Sequence, residues 1–294
     1  MALHPESRAL AVDRLGPDDL LETFAFLDRD PVVNVYLVAL TLRDGLAHPR
    51  DAFWAARREG EIAALLYLGP QSGAILPVGE DVAGLRLLAE EACERLPVLP
   101  RRFQVIGPQR AVEPFIACFA AAGVTPRLER AQSYMAVERD TFVAPGRMRA
   151  LRAAGPEDYD RVFESGARLR IEELGEDPRA ADLMAYARRV EEECRDGHTF
   201  VWTDAEGLRF RASVSAVTAD AAQVSGVYTP PGLRNRGIAT RGVGELCARL
   251  FERSRSATLF VNDVNAPAIA VYRRLGFTTR AAWTSAFYTA RARS

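Results

Sequence analysis

Segments with helical and with extended hydrophobic patterns alternate along the second half of the chain. From residue 238 an apolar stripe recurs with the period of a helix, at Val243, Leu246, Cys247, Leu250 and Phe251. In chain order, the predicted segments are a strand at 148–152, helices at 156–169 and 179–195, strands at 198–203, 208–216 and 222–227, the helix from 238, a strand at 257–261, a helix at 267–275, and strands near 278 and at 284–288. This order predicts a mixed α/β fold.

The first half has a similar but weaker pattern. Its predicted segments are a hairpin of strands 62–68 and 72–78 around Gly69-Pro70, a helix at 81–95, a strand at 103–106, a helix carrying Val112, Phe115, Ile116 and Phe119, and a strand at 133–138.

Two patterns occur in both halves and in the same order. The segment Gly16-Pro17-Asp18-Asp19 parallels Gly155-Pro156-Glu157-Asp158, a helix start in which acids follow a proline. Residues 118–125 parallel 271–278, where a helix ends at a glycine and a strand follows. Two such echoes indicate tandem copies of one fold. We therefore expect domains at 1–140 and 147–294, joined by the polar, Pro-Gly-containing segment 139–147.

Composition excludes several chemistries. The 294 residues are 48% hydrophobic and 26% charged with a net charge of −1, which is ordinary for a globular protein and gives no case for nucleic acid or a membrane as partner. All 38 basic residues are arginine. Without lysine, neither a Schiff base nor a Walker-type phosphate loop can be completed.

Cysteine and histidine supply no metal site. Cys93, Cys118, Cys194 and Cys247 are widely spaced among apolar neighbours, which is typical of buried thiols, and His4, His48 and His198 are isolated. We expect neither a metal nor a disulfide framework. No signal peptide or membrane-spanning segment is evident, so we expect a cytoplasmic protein. The oligomeric state stays open, a homo-oligomer included.

The stretch from Val224 to Thr240 is the most informative for function. A strand leads into a loop with the pattern Arg234-x-x-Gly237-x-Ala239, and a helix follows. Free N–H groups at a helix start, beside a small residue that allows close approach, form a cradle for phosphate. The missing lysine argues against triphosphate chemistry and favours a diphosphate used as a binding handle.

At this point the sequence resembles the GNAT superfamily of acetyltransferases. Their pattern Arg/Gln-x-x-Gly-x-Gly/Ala is matched by the cradle, and a second signature is matched by Asn265, Ala268, Tyr272, Gly276 and Phe277. The resemblance covers about residues 147–288, and the whole chain is loosely similar to bacterial two-domain proteins that carry a GNAT domain second. It implies two tandem GNAT-like domains, each an α/β (α+β) unit with a mixed, mostly antiparallel central sheet flanked by helices.

The resemblance also implies roles for individual residues. Acetyl-CoA would be held by backbone and side-chain groups of Val227, Tyr228, Arg234, Asn235, Arg236, Gly237, Ile238, Ala239, Thr240 and Asn265. Asn265 could instead only cap its helix, and Tyr272 would protonate the departing thiolate or else simply fill core. Glu172, Glu173 and His198 are the candidate general bases, with a water-mediated base as an alternative.

The first copy departs from this pattern. Where the cradle belongs, the chain has Glu80 and Asp81 and no Arg-x-x-Gly-x-Ala, and carboxylates repel a diphosphate. Phe119 or a neighbouring alanine stands where Tyr272 stands in the second copy. We expect the first copy to be structural or acceptor-shaping. For the second copy we expect an acetyl-CoA-dependent N-acetyltransferase that acetylates an amine of a small molecule or protein by direct attack in a ternary complex. A non-catalytic acyl-CoA sensor, another acyl donor and a hydroxyl acceptor are alternatives.

Overall fold

The computed structural model describes residues 10–47, 52–69 and 72–289. His4, His48 and Pro70 of the predicted hairpin lie outside these residues. Contacts divide the chain into two compact units: unit 1 comprises Met1–Ser133 with Ala281–Ser294, and unit 2 comprises Tyr134–Arg280.

The first half of the chain supplies six strands and four helices in its described residues. In chain order they are β1 (Leu10–Arg14), α1 (Leu20–Leu27), α2 (Val35–Asp44), β2 (Ala52–Arg58), β3 (Glu61–Gly69), β4 (Ala74–Gly79), α3 (Val82–Glu94), β5 (Arg102–Pro108), α4 (Gln109–Ala121) and β6 (Leu128–Glu138). The strands β1 to β4 pair antiparallel with their sequence neighbours, and β4 pairs parallel with β5. The strands β1 and β2 and the helix α2 were not predicted from the hydrophobic pattern.

The second half follows the predicted order closely. Its elements are β7 (Leu151–Ala153), α5 (Tyr159–Leu174), α6 (Pro178–Arg195), β8 (Thr199–Asp204), β9 (Gly207–Val217), β10 (Ala221–Tyr228), α7 (Ile238–Leu250), β11 (Ser256–Asn262), α8 (Ala266–Arg274) and β12 (Thr278–Thr289). The strands β7 to β10 pair antiparallel in sequence, and β10 pairs parallel with β11. The two strands predicted near 278 and at 284–288 form one continuous strand, β12. The mixed, mostly antiparallel fold class is confirmed.

Both sequence echoes form the same local structure in each unit. The carboxylates of Asp19 and Asp158 accept hydrogen bonds from the N–H groups of Gly16 at 2.9 Å and Gly155 at 3.0 Å. In each copy this bond closes the first helical turn onto the glycine that precedes it. At the second echo, the N–H of Val124 donates to the carbonyl of Phe119 at 2.8 Å, and that of Phe277 to Tyr272 at 3.1 Å.

These helix ends require a glycine. Gly123 and Gly276 have φ of 79° and 94°, the left-handed region in which other residues are strained. At Gly276 an added Cβ would also lie 2.5 Å from the carbonyl oxygen of Thr141.

Each unit completes its core with a strand from the other half of the sequence. In unit 1, the end of β12 pairs antiparallel with β5, and the Tyr288 ring stacks on Phe103 with 4.8 Å between centroids. In unit 2, Met135 and Val137 of β6 are buried among the residues of α7 and β11. The expected domains, 1–140 and 147–294, are continuous in sequence, whereas these compact units are not.

The segment 139–147, predicted as a linker, is part of unit 2 and packs against its helices. The N–H of Val143 donates to the carbonyl of Leu275 at 3.1 Å, and Pro145 lies so close to Gly244 that an added Cβ there would be 2.4 Å from its ring. The strand predicted at 148–152 begins only at Leu151, because the Met148 N–H donates to the Glu245 carboxylate at 2.8 Å.

The thiols differ in part from expectation. All four cysteines are free, as expected, but only Cys194 and Cys247 are buried, whereas Cys93 and Cys118 are half-buried. Burial, and then the neighbouring Cys93, raise the pKa of Cys118 to about 11.

A buried carboxylate on α7 holds the segment just before β7 in place. Glu245 is 1% exposed and also accepts hydrogen bonds from Arg147 at 3.1 Å and Arg249 at 3.0 Å. Burial alone would raise its pKa, but the hydrogen bonds outweigh burial and hold the pKa below its ordinary value.

We expect Glu245→Gln to lower the free energy of unfolding at pH 7 by about 1–3 kcal/mol, the cost of leaving charged donors poorly paired. Because the folded-state pKa lies below the ordinary value of 4.5, the stabilisation is complete above that pH and is lost as the pH falls through the folded-state pKa. Urea denaturation from pH 7 to pH 3 should show the two proteins converging in acid. Glu252→Gln, at an exposed glutamate just beyond α7, is the control. A stability difference independent of pH would contradict this account.

Candidate active site

The end of β10 departs from regular pairing on both of its sides. Towards β9, Gly226 and Val227 together face the single residue Ala212, which is a β-bulge, and Gly226 has φ of 58°. Towards β11, the parallel register covers only Ala221–Gln223 against Ser256–Thr258. Both strands continue beyond this register, so the pairing opens and leaves backbone groups near Val227 available to a ligand.

The cradle loop leads from β10 into an uncapped helix. Gly237 is the N-cap of α7 with φ of 71°, and no side chain caps the first turn. The first helical hydrogen bond joins Arg241 N–H to the Gly237 carbonyl at 3.1 Å, so the N–H groups of residues 238–240 have no partner within the helix. An added Cβ at Gly237 would meet nothing within 4 Å. Asn235 shares the left-handed conformation, with φ of 62°. The loop therefore presents free donors beside open space.

Arg234 connects two residues that were predicted separately. Its Nη2 is 2.7 Å from Glu172 Oε2, and its Nε donates to the carbonyl of Thr229 at 3.0 Å. Its guanidinium also lies 5.8 Å from the centroid of the Tyr228 ring. Glu172, a candidate base, is thus held in an ion pair by a residue predicted to bind phosphate. Arg236 is exposed.

Tyr272 is buried on α8. Its ring is 6% exposed and lies 5.8 Å from that of Phe277. Burial raises the pKa of the Tyr272 hydroxyl well above 10, and the negative charge of Glu173 adds to the effect. The structure thus brings Glu173 within electrostatic reach of Tyr272, and the hydroxyl keeps its proton at neutral pH.

The remaining predicted residues are placed as follows. The side chain of Asn265 accepts from the N–H of Ala268 at 3.2 Å and caps α8, the alternative role stated above, which leaves its NH₂ group for a ligand. His198 is exposed just before β8, and its carbonyl accepts from Val214 N–H at 2.8 Å.

Sequence reasoning missed two side chains. The sequence predicted a role only for the Tyr228 backbone. In the structure, the Tyr228 hydroxyl is buried with no hydrogen-bond partner among the described residues. Arg168 was not considered, although its position one turn before Glu172 on α5 was a usable signal. The hydroxyl of Thr229 is likewise buried without a partner in the described part of the chain.

The corresponding place in unit 1 is closed. Asp81 is the N-cap of α3, and its carboxylate accepts from Gly84 N–H at 2.8 Å and pairs with Arg58 at 2.9 Å. This carboxylate occupies the position where a helix N-terminus would bind a phosphate. The parallel register of β4 and β5 is also short, at Ala74 and Ile75 only, but an added Cβ at Gly107 would lie 3.0 Å from the carbonyl oxygen of Pro77, so the two strands remain close beyond it. Phe119, fully buried, stands at the position of Tyr272.

Two classes of feature are missing from the described ranges. Within residues 10–47, 52–69 and 72–289, no three metal-ligating side chains cluster. No helix in the same residues is long and apolar enough to cross a bilayer.

Comparison with known proteins agrees with this geometry. Residues 210–287 match the model of the FR47-like protein family. Among solved structures, a tandem GNAT protein from the clavulanic acid biosynthesis pathway is 19% identical with a TM-score of 0.57, and the match covers 97% of this chain and all of that one. A GCN5-related N-acetyltransferase from Sphaerobacter thermophilus is 16% identical with a TM-score of 0.58, covering 96% of each chain.

A GNAT-family acetyltransferase from Colwellia psychrerythraea is 11% identical with a TM-score of 0.53, over 95% of this chain and all of that one. No curated protein sequence matches the chain. These findings agree with the resemblance predicted from the two motifs: residues 210–287 match the FR47-like family model, and the chain has the fold of the GNAT acetyltransferase structures that it resembles. More particularly, the likeness to the tandem GNAT protein extends over nearly the whole chain and supports two units of GNAT-like fold.

Proposed function

We propose that unit 2 is an acetyl-CoA-dependent N-acetyltransferase that acetylates an amine of a small molecule or protein. One observation mainly supports this proposal. Three features lie together at the end of β10: the bulge, the opening between β10 and β11, and the uncapped N-terminus of α7. We place the protein in the cytoplasm, because its four free thiols match the reducing conditions there.

The residues present fit an acyl-CoA. The free N–H groups of Ile238, Ala239 and Thr240, together with the neighbouring Arg236 and Asn235, would hold the diphosphate. The backbone N–H groups freed at Val227 and Tyr228 would hold the acyl carbonyl and stabilise negative charge on its oxygen. The bound thioester supplies the activated acyl group, which needs no metal or covalent enzyme intermediate.

The chain's own groups would manage the protons. As the amine nitrogen bonds to the acyl carbon, the carbon–sulfur bond breaks and the sulfur leaves with the bonding electrons. Tyr272 Oη would then donate its proton to that sulfur. Its raised pKa keeps the hydroxyl protonated until the sulfur departs, and although a higher pKa makes it a weaker acid, the same burial raises the proton affinity of the negative sulfur and strengthens the hydrogen bond between them. The amine's proton would pass to Glu172, Glu173 or water, with Glu172 held in an ion pair by Arg234.

Unit 1 is proposed to be non-catalytic. The Asp81 carboxylate fills the first turn of α3, and the loop from Gly79 to Asp81 is too short to form a second cradle. Its role is then structural or acceptor-shaping.

The cradle is tested by Gly237→Glu. We expect the CoA-dependent rise in melting temperature to be lost, because a carboxylate then occupies the place of the diphosphate. Gly197→Glu is a matched control, because Gly197 also has a left-handed φ, 68°, and open space around its Cβ, so strain and added charge are equal. Equal stabilisation by CoA in the wild type and the Gly237 variant would show that the cradle lies elsewhere.

The proton donor is tested by Tyr272→Phe, which keeps the ring packed against Phe277. Turnover should fall by about 10²–10⁴-fold while CoA affinity and melting temperature change little. The pKa of Tyr272 is raised, so wild-type activity should also show no loss from tyrosine ionisation up to about pH 10. Unchanged turnover, with chemistry limiting the rate, would reduce Tyr272 to a packing residue and favour the acyl-CoA sensor.

The role of Glu172 is tested by Glu172→Gln. If Glu172 mainly restrains Arg234, its loss frees a cation for phosphate, and CoA should bind about two- to tenfold more tightly with turnover retained. Isothermal titration and initial rates measure the two effects. Glu157→Gln, at an exposed glutamate two residues before α5, is the control. A loss of turnover by ~10² or more without tighter CoA binding would instead make Glu172 the base.

A further inference from the structure

The Tyr228 hydroxyl is a buried polar group without a partner. The residue is 3% exposed, and no group makes a well-formed hydrogen bond to its Oη in the described part of the chain, although the Arg168 side chain lies near enough to act on it as a donor. Buried hydroxyls in folded proteins nearly always have a partner, and those without one mark places where a ligand or water belongs. This hydroxyl sits at the end of β10, beside the bulge.

The surroundings of this hydroxyl carry a net positive charge. Arg168 and Glu172, one turn apart on the same face of α5, both act on the titration of Tyr228. Arg234 lies over the ring and neutralises Glu172 through the 2.7 Å ion pair. Arg168 is exposed and forms no ion pair among the described residues, so there only solvent compensates its charge.

The chemistry of these groups selects an anion. A guanidinium is only a donor, and the phenol beside it keeps its proton because burial raises its pKa. Two donors with one uncompensated positive charge match a carboxylate. The negative Glu173, which acts on Tyr272, lies on the same turn of α5 and favours an amine at its end of the site.

We propose that Tyr228 Oη and Arg168 form a carboxylate subsite, and that the acceptor is an amine that itself carries a carboxylate, such as an α-amino acid. This proposal rests on the proposed function, which it makes more specific. The cradle at α7 would hold the diphosphate of the donor, whereas this subsite would hold the acceptor.

The test compares amines that differ only in the carboxylate. Initial rates with acetyl-CoA are measured for L-phenylalanine against phenethylamine and L-phenylalaninamide, L-methionine against 3-(methylthio)propylamine, and glycine against methylamine. We expect kcat/KM to favour the acids by about tenfold or more, the effect of one charge-assisted hydrogen bond. No preference for the acids would overturn the proposal.

Variants then assign the preference to the subsite. Arg168→Gln and Tyr228→Phe should each raise KM for the acids by about tenfold, and Arg168→Gln should leave KM for the uncharged amines and acetyl-CoA within about twofold. Arg253→Gln, at an exposed arginine beyond α7, is the control. A preference that survives in both variants would overturn the assignment. So would a loss of CoA affinity instead, because the bound anion would then be a phosphate of the donor.

A binding measurement separates this proposal from the proposed function. The melting temperature is recorded with N-acetyl-L-phenylalanine, N-acetyl-L-methionine and N-acetylglycine, and with the corresponding N-acetylamines, each with and without CoA. Carboxylate-dependent stabilisation that Arg168→Gln abolishes supports the subsite even if no amine is acetylated and CoA has no effect. That pattern would refute the acetyltransferase proposal alone. If no acid stabilises the wild type and no acid is preferred in turnover, the subsite is refuted.

Discussion

The candidate site depends on one constraint in the sheet: β10 cannot stay paired with both of its neighbours to its end. The bulge at Gly226 and Val227 turns its backbone relative to β9, and the parallel register with β11 stops at Gln223. In a closed sheet these N–H and C=O groups would be consumed by pairing. Because the pairing opens, donors, space and the cradle loop that follows Tyr228 come together at one strand end.

The two units show how small a local change removes such a site. Gly237 and Asp81 are the N-caps of corresponding helices, α7 and α3. Glycine leaves the first-turn N–H groups free, whereas aspartate supplies its own anion, held by Gly84 and Arg58. The aspartate stabilises its helix in the way expected of an N-cap, and the same bond blocks an external phosphate. At Asp81 the cap's carboxylate and an external anion would compete for the same first-turn N–H groups.

Much of the second half was predictable because its signals are local. The apolar stripe of α7, the glycine stop before Phe277 and the paired motifs at Gly237 and Tyr272 depend on residues close in sequence, and the structure contains these elements. The strands β1 and β2 and the helix α2 escaped prediction because their patterns are short and their apolar residues are fixed by distant partners. The start of β7 was misplaced because a carboxylate 97 residues away holds the Met148 N–H.

The sequence by itself predicted the mixed α/β fold class, two copies of one fold and the glycine-containing loop before α7, and its lack of lysine excludes lysine chemistry, since each follows from residue identity and short-range spacing. Only the tertiary structure decided that β6 and β12 complete the cores of units in the opposite halves of the chain, because strand pairing joins residues of any separation. Likewise, only the tertiary structure shows that Glu172 pairs with Arg234 and that the Tyr228 hydroxyl is buried without a hydrogen-bond partner among the described residues. Hydrogen bonds and ion pairs depend on distances of a few ångströms, which folding sets and sequence spacing does not.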